Sequence, residues 1–367
     1  MIKSAYIHIP FCEKICSYCD FCKVLYDKKF VQDYLKQLKK EINSIYQLEE
    51  LNTIYIGGGT PTCLDLEELE ELLKILSKLK RNDNTEYTIE GNFSSITKEK
   101  LELFKKYHIN RLSLGVESIH KKNQILLNRE LTKEEIEEKI KWMRELGFHN
   151  INLDIIYALP EETIEEVEED ISYLVSLNVE HISTYSLIIE DHTILGIKKV
   201  KNISTDLDSK MYERIMSILK ENHYIHYEIS NFAKEGYESR HNKTYWKNEE
   251  YYGFGVGASS YIGNKRITNT KSITNYSKEI NRKEIEEVGI EDKIEYEILL
   301  NLRLLEGIDL LEFQKKYKKE LKEYYSYETL IQNKFLVEEN NHLYIPEDKL
   351  YIGNEIIVKI LQNKISL

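Results

Sequence analysis

Tyr6-Ile7-His8-Ile9-Pro10-Phe11-Cys12-Glu13-Lys14-Ile15-Cys16-Ser17-Tyr18-Cys19-Asp20-Phe21 is the stretch on which the reading of this chain turns. Tyr6 to Ile9 has the aromatic and β-branched character of a strand, and Pro10 stops its pairing. Three cysteines follow at C-x3-C-x2-C spacing, Cys12, Cys16 and Cys19. Thiolates are soft ligands, suited to iron–sulfur clusters or to zinc. Zinc sites usually show paired C-x2-C knuckles, and no second knuckle is present. A four-iron cluster held by three cysteines keeps one iron open to a small-molecule ligand. Zinc and plain buried thiols are the alternatives. Cys22 is a candidate fourth ligand, and Cys63 reads as a small buried hydrophobe.

Outward from this loop, short apolar runs alternate with longer amphipathic ones. The runs predict strands at Ala5–Ile9, Thr53–Ile56, Glu86–Glu90, Arg111–Val116, Asn150–Ile156 and His181–Leu187. Helices are expected at Lys29–Ser44, Leu66–Lys80, Lys98–Tyr107, Lys133–Leu146 and Thr163–Leu177. That rhythm means βαβ units and a parallel sheet, an α/β fold. Six units are fewer than the eight of a closed barrel, so a partial (βα)6 barrel is expected. Such folds bind ligands at the carboxyl ends of their strands. Cys12, Gly57-Gly58-Gly59, Glu90, Glu117 and Asp154 all fall at or just past such ends and should converge.

The rhythm weakens after Glu190. A helix at Leu207–Glu221 leads into a loop-rich stretch, Asn231–Asn264, dense in glycine and aromatics. Helices return at Asp292–Leu305 and Asp309–Tyr317. Tyr324–Ile345 reads as a helix and two short strands around Glu339-Asn340-Asn341, a winged-helix-like α+β module. The expected division is 1–230 for the barrel, 231–290 for a connecting region and 291–367 for the C-terminal module.

Composition narrows the function classes. A net charge of −12 opposes a broad nucleic-acid surface. No apolar run reaches the roughly 18 residues of a membrane span. The start lacks a secretory signal. Clustered cysteines in a cytosolic-looking chain are more often metal-binding than paired.

Further motifs carry chemistry. Glycines in Gly57-Gly58-Gly59-Thr60-Pro61 let backbone approach a ligand and expose amide N–H groups, or simply make a tight strand-to-helix turn. Glu90, Glu117 and Asp154 could bind ribose hydroxyls and Arg129 a carboxylate, or each could be a solvated charge. His241-Asn242-Lys243-Thr244-Tyr245-Trp246 offers a histidine flanked by large aromatics. It is either an axial haem ligand with rings to pack on the porphyrin, or an ordinary loop histidine.

Together these segments resemble the radical SAM superfamily, and within it the oxygen-independent coproporphyrinogen III oxidase-like family in its haem-chaperone (HemW-like) branch. The carriers are Tyr6 to Cys12, Cys16 to Phe21, Gly57 to Thr62, Arg111 to Val116, Asn152 to Tyr157 and H-N-x-x-Y-W from His241. The resemblance implies a [4Fe–4S] cluster on Cys12, Cys16 and Cys19, and S-adenosylmethionine (SAM) on its open iron. By motif, Tyr6 lies beside the cluster and Tyr18 near adenine. Gly58, Gly59 and Thr60 meet the methionine end, and Glu90 the ribose region. Glu117, Arg129 and Asp154 match a further SAM-binding set. His241 is the implied haem-binding residue, with Asn242, Tyr245 and Trp246 in its motif. The implied activity is transfer of haem to acceptor haemoproteins, respiratory enzymes being candidate acceptors, in the cytoplasm, with a homodimer as a compatible assembly. The alternative is radical SAM decarboxylation of coproporphyrinogen III to protoporphyrinogen IX. Against that alternative, Phe21 stands where the decarboxylases carry a fourth cysteine, and Cys22 comes one residue later. Glu117 replaces the usual glutamine.

Overall fold

The alternating pattern becomes six parallel strands, Ser4–Ile9, Leu51–Gly58, Arg81–Asn92, Arg111–Glu117, Ile151–Tyr157 and His181–Ser186, paired in chain order. The computed structural model describes residues 1–279 and 283–365. Residues 280–282, within the expected connecting region, and 366–367 lie outside the described residues. Helices Lys28–Ile45, Leu66–Leu76, Lys98–Lys106, Lys133–Glu145 and Ile164–Ser176 cover the outer face of the sheet. Their starts are set locally. Asp65 with Glu68, Thr132 with Glu135 and Thr163 with Glu166 form reciprocal capping boxes. Strand periodicity then sorts the side chains. Ala5, Ile7 and Ile9 of the first strand, like Ile54 and Ile56 of the second, are buried under the helices. The residues between them, Tyr6, His8, Thr53 and Tyr55, meet one another and other polar groups across the concave face.

The partial (βα)6 barrel is therefore present, and three further strands extend it. Tyr252–Phe254 pairs in parallel with the first strand. Asn231–Ala233 pairs antiparallel with the sixth, and Ile225–Glu228 pairs antiparallel with Asn231–Ala233 in turn. This corrects the expectation of a loop-rich stretch at Asn231–Asn264. That stretch contains edge strands and the helix Arg240–Trp246, which carries the H-N-x-x-Y-W motif. Strands of three residues and a helix of seven are too short to show a period, and their partners are remote in sequence. The helices Lys121–Leu127 and Gly353–Gln362 were likewise not foreseen.

In the C-terminal module, helices Ile290–Asn301, Leu310–Tyr317 and Glu328–Gln332 precede a hairpin of Val337–Glu339 and His342–Tyr344. Asn340 and Asn341 sit at φ of 51° and 63°, the left-handed pair that a tight two-residue hairpin needs. Ile308–Asp309 completes its three-stranded sheet.

Glu41 fastens the first helix to the region after the Tyr252–Phe254 strand. Its buried carboxylate accepts Gly255 N (2.8 Å), Asn269 Nδ2 (2.7 Å) and Tyr276 Oη (2.6 Å). Removing it leaves Gly255 N and Tyr276 Oη without this acceptor, while Asn269 Nδ2 keeps Gly255 O at 2.8 Å. Glu41→Leu should therefore cost about 3 kcal/mol of stability, read as a lowered urea midpoint. An unchanged midpoint would show that the carboxylate does not fasten this edge.

Candidate functional site

The cysteine loop is rooted at both ends. Phe11–Cys12 pairs in parallel with Val24–Leu25. Ser17 N donates to Leu127 O and Ser17 O accepts Leu195 N, both at 3.0 Å. Asn128 Nδ2 donates to Ile15 O at 2.8 Å. The helix Lys121–Leu127 with Asn128 and the short helix Ile194–Ile197 thus hold the loop. Cys12 is buried, Cys16 and Cys19 are half-buried, and all three are free thiols. Burial pushes the Cys12 thiol up to about 11, and Cys19 and Cys16 nearby add to it. Among the described residues, no three His, Cys, Asp or Glu side chains gather closely enough to hold a single metal ion.

The glycine turn lies directly against the root of this loop. Gly59 N donates to Ile9 O (2.8 Å) and Thr60 N to Phe11 O (2.7 Å). A Cβ on Gly59 would stand 2.7 Å from Phe11 O and 3.0 Å from Cys12 Sγ, so no larger residue fits. A Cβ on Gly57 would meet the Glu90 carboxylate at 2.7 Å. Glu90 accepts Gly58 N at 3.0 Å and Tyr55 Oη at 2.7 Å. Burial pushes its carboxyl up, and those two hydrogen bonds oppose the shift.

Glu117, Arg129 and Tyr18 form a second group beside the cysteines. Arg129 Nη2 donates to Glu117 Oε1 at 2.7 Å, and Tyr18 Oη donates to the same oxygen at 2.9 Å. Glu117 holds φ at 61°, an uncommon conformation for this residue type that re-aims its side chain at the strand end. Glu117 Oε2 and Arg129 Nε are buried and unpartnered. With Cys16, Asn92 and Gly115 they line a cavity of about 300 Å³. Asp154 is held by Asn152 Nδ2 at 2.8 Å. Burial, then the charge of Glu117, pushes its carboxyl up to about 7. Three thiols, a glycine turn with no room for side chains, open polar valences and a cavity at one strand edge suit a cluster carrying an amino-acid ligand.

The H-N-x-x-Y-W helix sits at the opposite end. Ser4, Thr53 and Glu86, at or near the amino ends of their strands, receive it. Ser4 Oγ bonds Thr244 Oγ1 (2.9 Å), and Glu86 accepts Arg240 N and His241 N (each 3.0 Å). His241 is 1% exposed. Its Nδ1 meets Thr53 Oγ1 and its Nε2 meets Tyr245 Oη, both at 2.8 Å. Burial, then the Arg111 guanidinium, lowers its imidazole to about 3, so the ring is neutral. The alternative of an ordinary loop histidine is therefore corrected, because His241 lies in the helix Arg240–Trp246. The imidazole is interior, and neither ring nitrogen is free in this conformation. Trp246 faces the C-terminal module, with Arg303 5.5 Å from its ring. Asn242 N is capped by Ser239 Oγ. Tyr6, below the cysteine loop, donates to His8 Nδ1 at 2.9 Å, and His8 Nε2 donates to Cys22 O at 2.7 Å. The strands Thr53 to Gly58 place roughly 17 Å between the two ends.

Three interior residues lie outside the site set predicted from the sequence: His8, Tyr55 and Arg111. Arg111 is 2% exposed and makes no ion pair among the described residues. The signal for all three was period-two alternation within strands already recognised, read inward instead of outward.

The Radical SAM superfamily model matches residues 6–174, and the HemN C-terminal domain model matches residues 291–348. The chain is 38% identical to "Heme chaperone HemW" of Lactococcus lactis over 99% of this chain and 98% of that one. It is 38% identical to the Bacillus subtilis protein of the same name, over 97% and 98%. Its fold matches the Escherichia coli coproporphyrinogen III oxidase HemN with a TM-score of 0.86 and 22% identity, covering 97% of this chain and 89% of that one. These matches place the chain among radical SAM proteins. Within that superfamily it belongs to the HemW family. None of its described helices is long and apolar enough to cross a membrane.

Asp154 makes a pH prediction. Its folded-state carboxyl, near 7, binds a proton that the unfolded chain, near 3.8, releases. Between those values stability falls as pH rises. Asp154→Asn should remove up to about 1.4 kcal/mol per pH unit of that fall. Urea unfolding of both proteins across pH 4–7 checks this, and parallel curves would refute it.

Proposed function

We propose that this chain is a haem chaperone on a radical SAM scaffold. What carries the reading is the 38% identity, over nearly all of both chains, to relatives named for that role. Cys12, Cys16 and Cys19 hold a [4Fe–4S] cluster. Gly58, Gly59 and Thr60 face the methionine end of SAM, Glu90 and Tyr18 its nucleoside, and Tyr6 lies beneath. Glu117, Arg129 and Asp154 supply further polar contacts. When bound, the cluster and SAM supply one-electron chemistry. The protein's own residues hold the ligand: Glu90 fixes the glycine turn through Gly58 N, and Arg129 presents a guanidinium already paired on one side.

Haem is carried and passed to acceptor haemoproteins, candidate acceptors being respiratory enzymes, in the cytoplasm. Nucleic acid is no partner, and a homodimer is compatible with the role. His241 is the haem-binding residue in this reading. It must first give up Thr53 or Tyr245, so haem binding requires rearrangement around the buried ring. The mismatched Phe21, where the decarboxylases place a cysteine, sets the chaperone reading above the decarboxylase one.

Two measurements test this. His241→Ala, loaded with haem and desalted, should lose the Soret band that the native protein keeps. Equal retention would remove His241 from the haem site. Anaerobic reconstitution should yield four irons and four sulfides per chain, the cubane's stoichiometry, with a reduced-cluster EPR spectrum that SAM perturbs. Zinc alone, with no uptake of iron and sulfide, would defeat the cluster assignment.

A further inference from the structure

The two ends of the barrel are joined by one line of contacts through its interior. The His241 ring stacks on Tyr55, centroids 5.0 Å apart and planes 25° from parallel. Tyr55 Oη donates to Glu90 Oε1 at 2.7 Å. Glu90 Oε2 accepts Gly58 N at 3.0 Å. Each member has little room to move. Tyr55 also touches Tyr6, at 6.2 Å between centroids. Glu90 fills the space where Gly57 lacks a Cβ. His241 is fixed at both ring nitrogens and, through its backbone N–H, by buried Glu86.

We propose that His241 is a positioning residue for Glu90 and the glycine turn, acting through Tyr55. The imidazole forms a wall against which the Tyr55 ring lies flat. That wall fixes where the phenol hydroxyl points. The hydroxyl fixes one carboxylate oxygen of Glu90, leaving the other for Gly58 N. The H-N-x-x-Y-W helix therefore sets the geometry of the SAM-facing end from the far end of the barrel. Withdrawal of His241 from the interior would loosen Glu90, so events at the motif and SAM affinity are linked, and linkage is reciprocal. This inference rests on the assignment of Glu90 to SAM made above, and it does not require haem.

The test is SAM affinity on the reconstituted, haem-free protein, by anaerobic equilibrium dialysis. The comparison is between native, Tyr55→Phe, His241→Ala and the double variant. Tyr55→Phe keeps the stacked ring and deletes only the hydrogen bond to Glu90, so SAM should bind about tenfold more weakly with cluster content unchanged. His241→Ala touches nothing at the SAM end, yet should weaken SAM to a similar extent. The double variant should be no weaker than Tyr55→Phe alone, since both changes break one path. Should His241→Ala fail to fold, Thr53→Val replaces it. That change removes only the Nδ1 partner and should weaken SAM about threefold. Native affinity in His241→Ala, or in Thr53→Val where it is used, overturns the proposal. Losses that multiply in the double variant overturn the route through Tyr55. A native protein that takes up a cluster but no SAM fails the assignment of Glu90 and carries this inference down with it. Loss of haem retention in His241→Ala with SAM affinity intact leaves the chaperone reading standing while this one falls.

Discussion

A parallel sheet that curls without closing turns every second side chain into its own interior, and those groups must find partners or a ligand. Leaving a buried polar atom unmatched costs about 1–3 kcal/mol, more for a charge. In this chain the two ends of the interior meet that demand differently. At the amino ends of the strands, Ser4, Thr53 and Glu86 are matched by Thr244, His241 and two backbone N–H groups of the Arg240–Trp246 helix. At the carboxyl ends, Glu117 Oε2 and Arg129 Nε remain unmatched, and Asp154 is pushed toward neutrality. The amino end is closed largely by the protein's own chain, although Arg111 Nε and Trp246 Nε1 are left over there. The other is left for something else to finish.

That asymmetry explains what could be read from the residues in order. The six strands announce themselves because a strand under helices shows apolar residues at every second place, as Ala5, Ile7 and Ile9 do. The glycine turn announces itself because the close approach to Phe11 O and Cys12 Sγ admits no side chain. Glu90 and Glu117 could be grouped because residues towards the same ends of parallel strands share an edge whatever their distance in sequence, whereas Asp154, expected at a strand end, lies mid-strand in Ile151–Tyr157. All of this follows from local period and strand direction.

The position of His241 follows from neither. Six residues with a histidine and two large rings read equally as a surface haem platform or as an interior plug. What decides is the set of partners, Thr53 and Glu86, which lie far off in the chain and whose own inward direction is visible only once the sheet is curled. The edge strand Tyr252–Phe254 escaped for a related reason. Its three residues pair with Ala5 to Ile7 from the other side of the molecule, and Gly253 is there because a Cβ would strike Ser259 O at 1.9 Å. Long-range partners, not local propensity, build this side of the fold.

The same reasoning bears on Cys22, the candidate fourth sulfur. It follows Cys19 closely, so spacing alone left it eligible. Its surroundings tie it to another part of the chain. Cys22 O accepts His8 Nε2 at 2.7 Å, and Cys22 Sγ lies 3.4 Å from Lys271 O. A Cβ on Gly257 would come within 2.9 Å of Cys22 Cβ. Burial pushes its thiol up, and the lysines beside it only partly offset that. The Cys22 thiol is thus packed against the connecting region. Drawing it in would cost the His8 hydrogen bond, and with it the tautomer that lets His8 Nδ1 accept Tyr6 Oη. This packing sets Cys22 apart from the three cysteines proposed to hold the cluster, and the unmatched atoms of Glu117 and Arg129 line one cavity with Cys16.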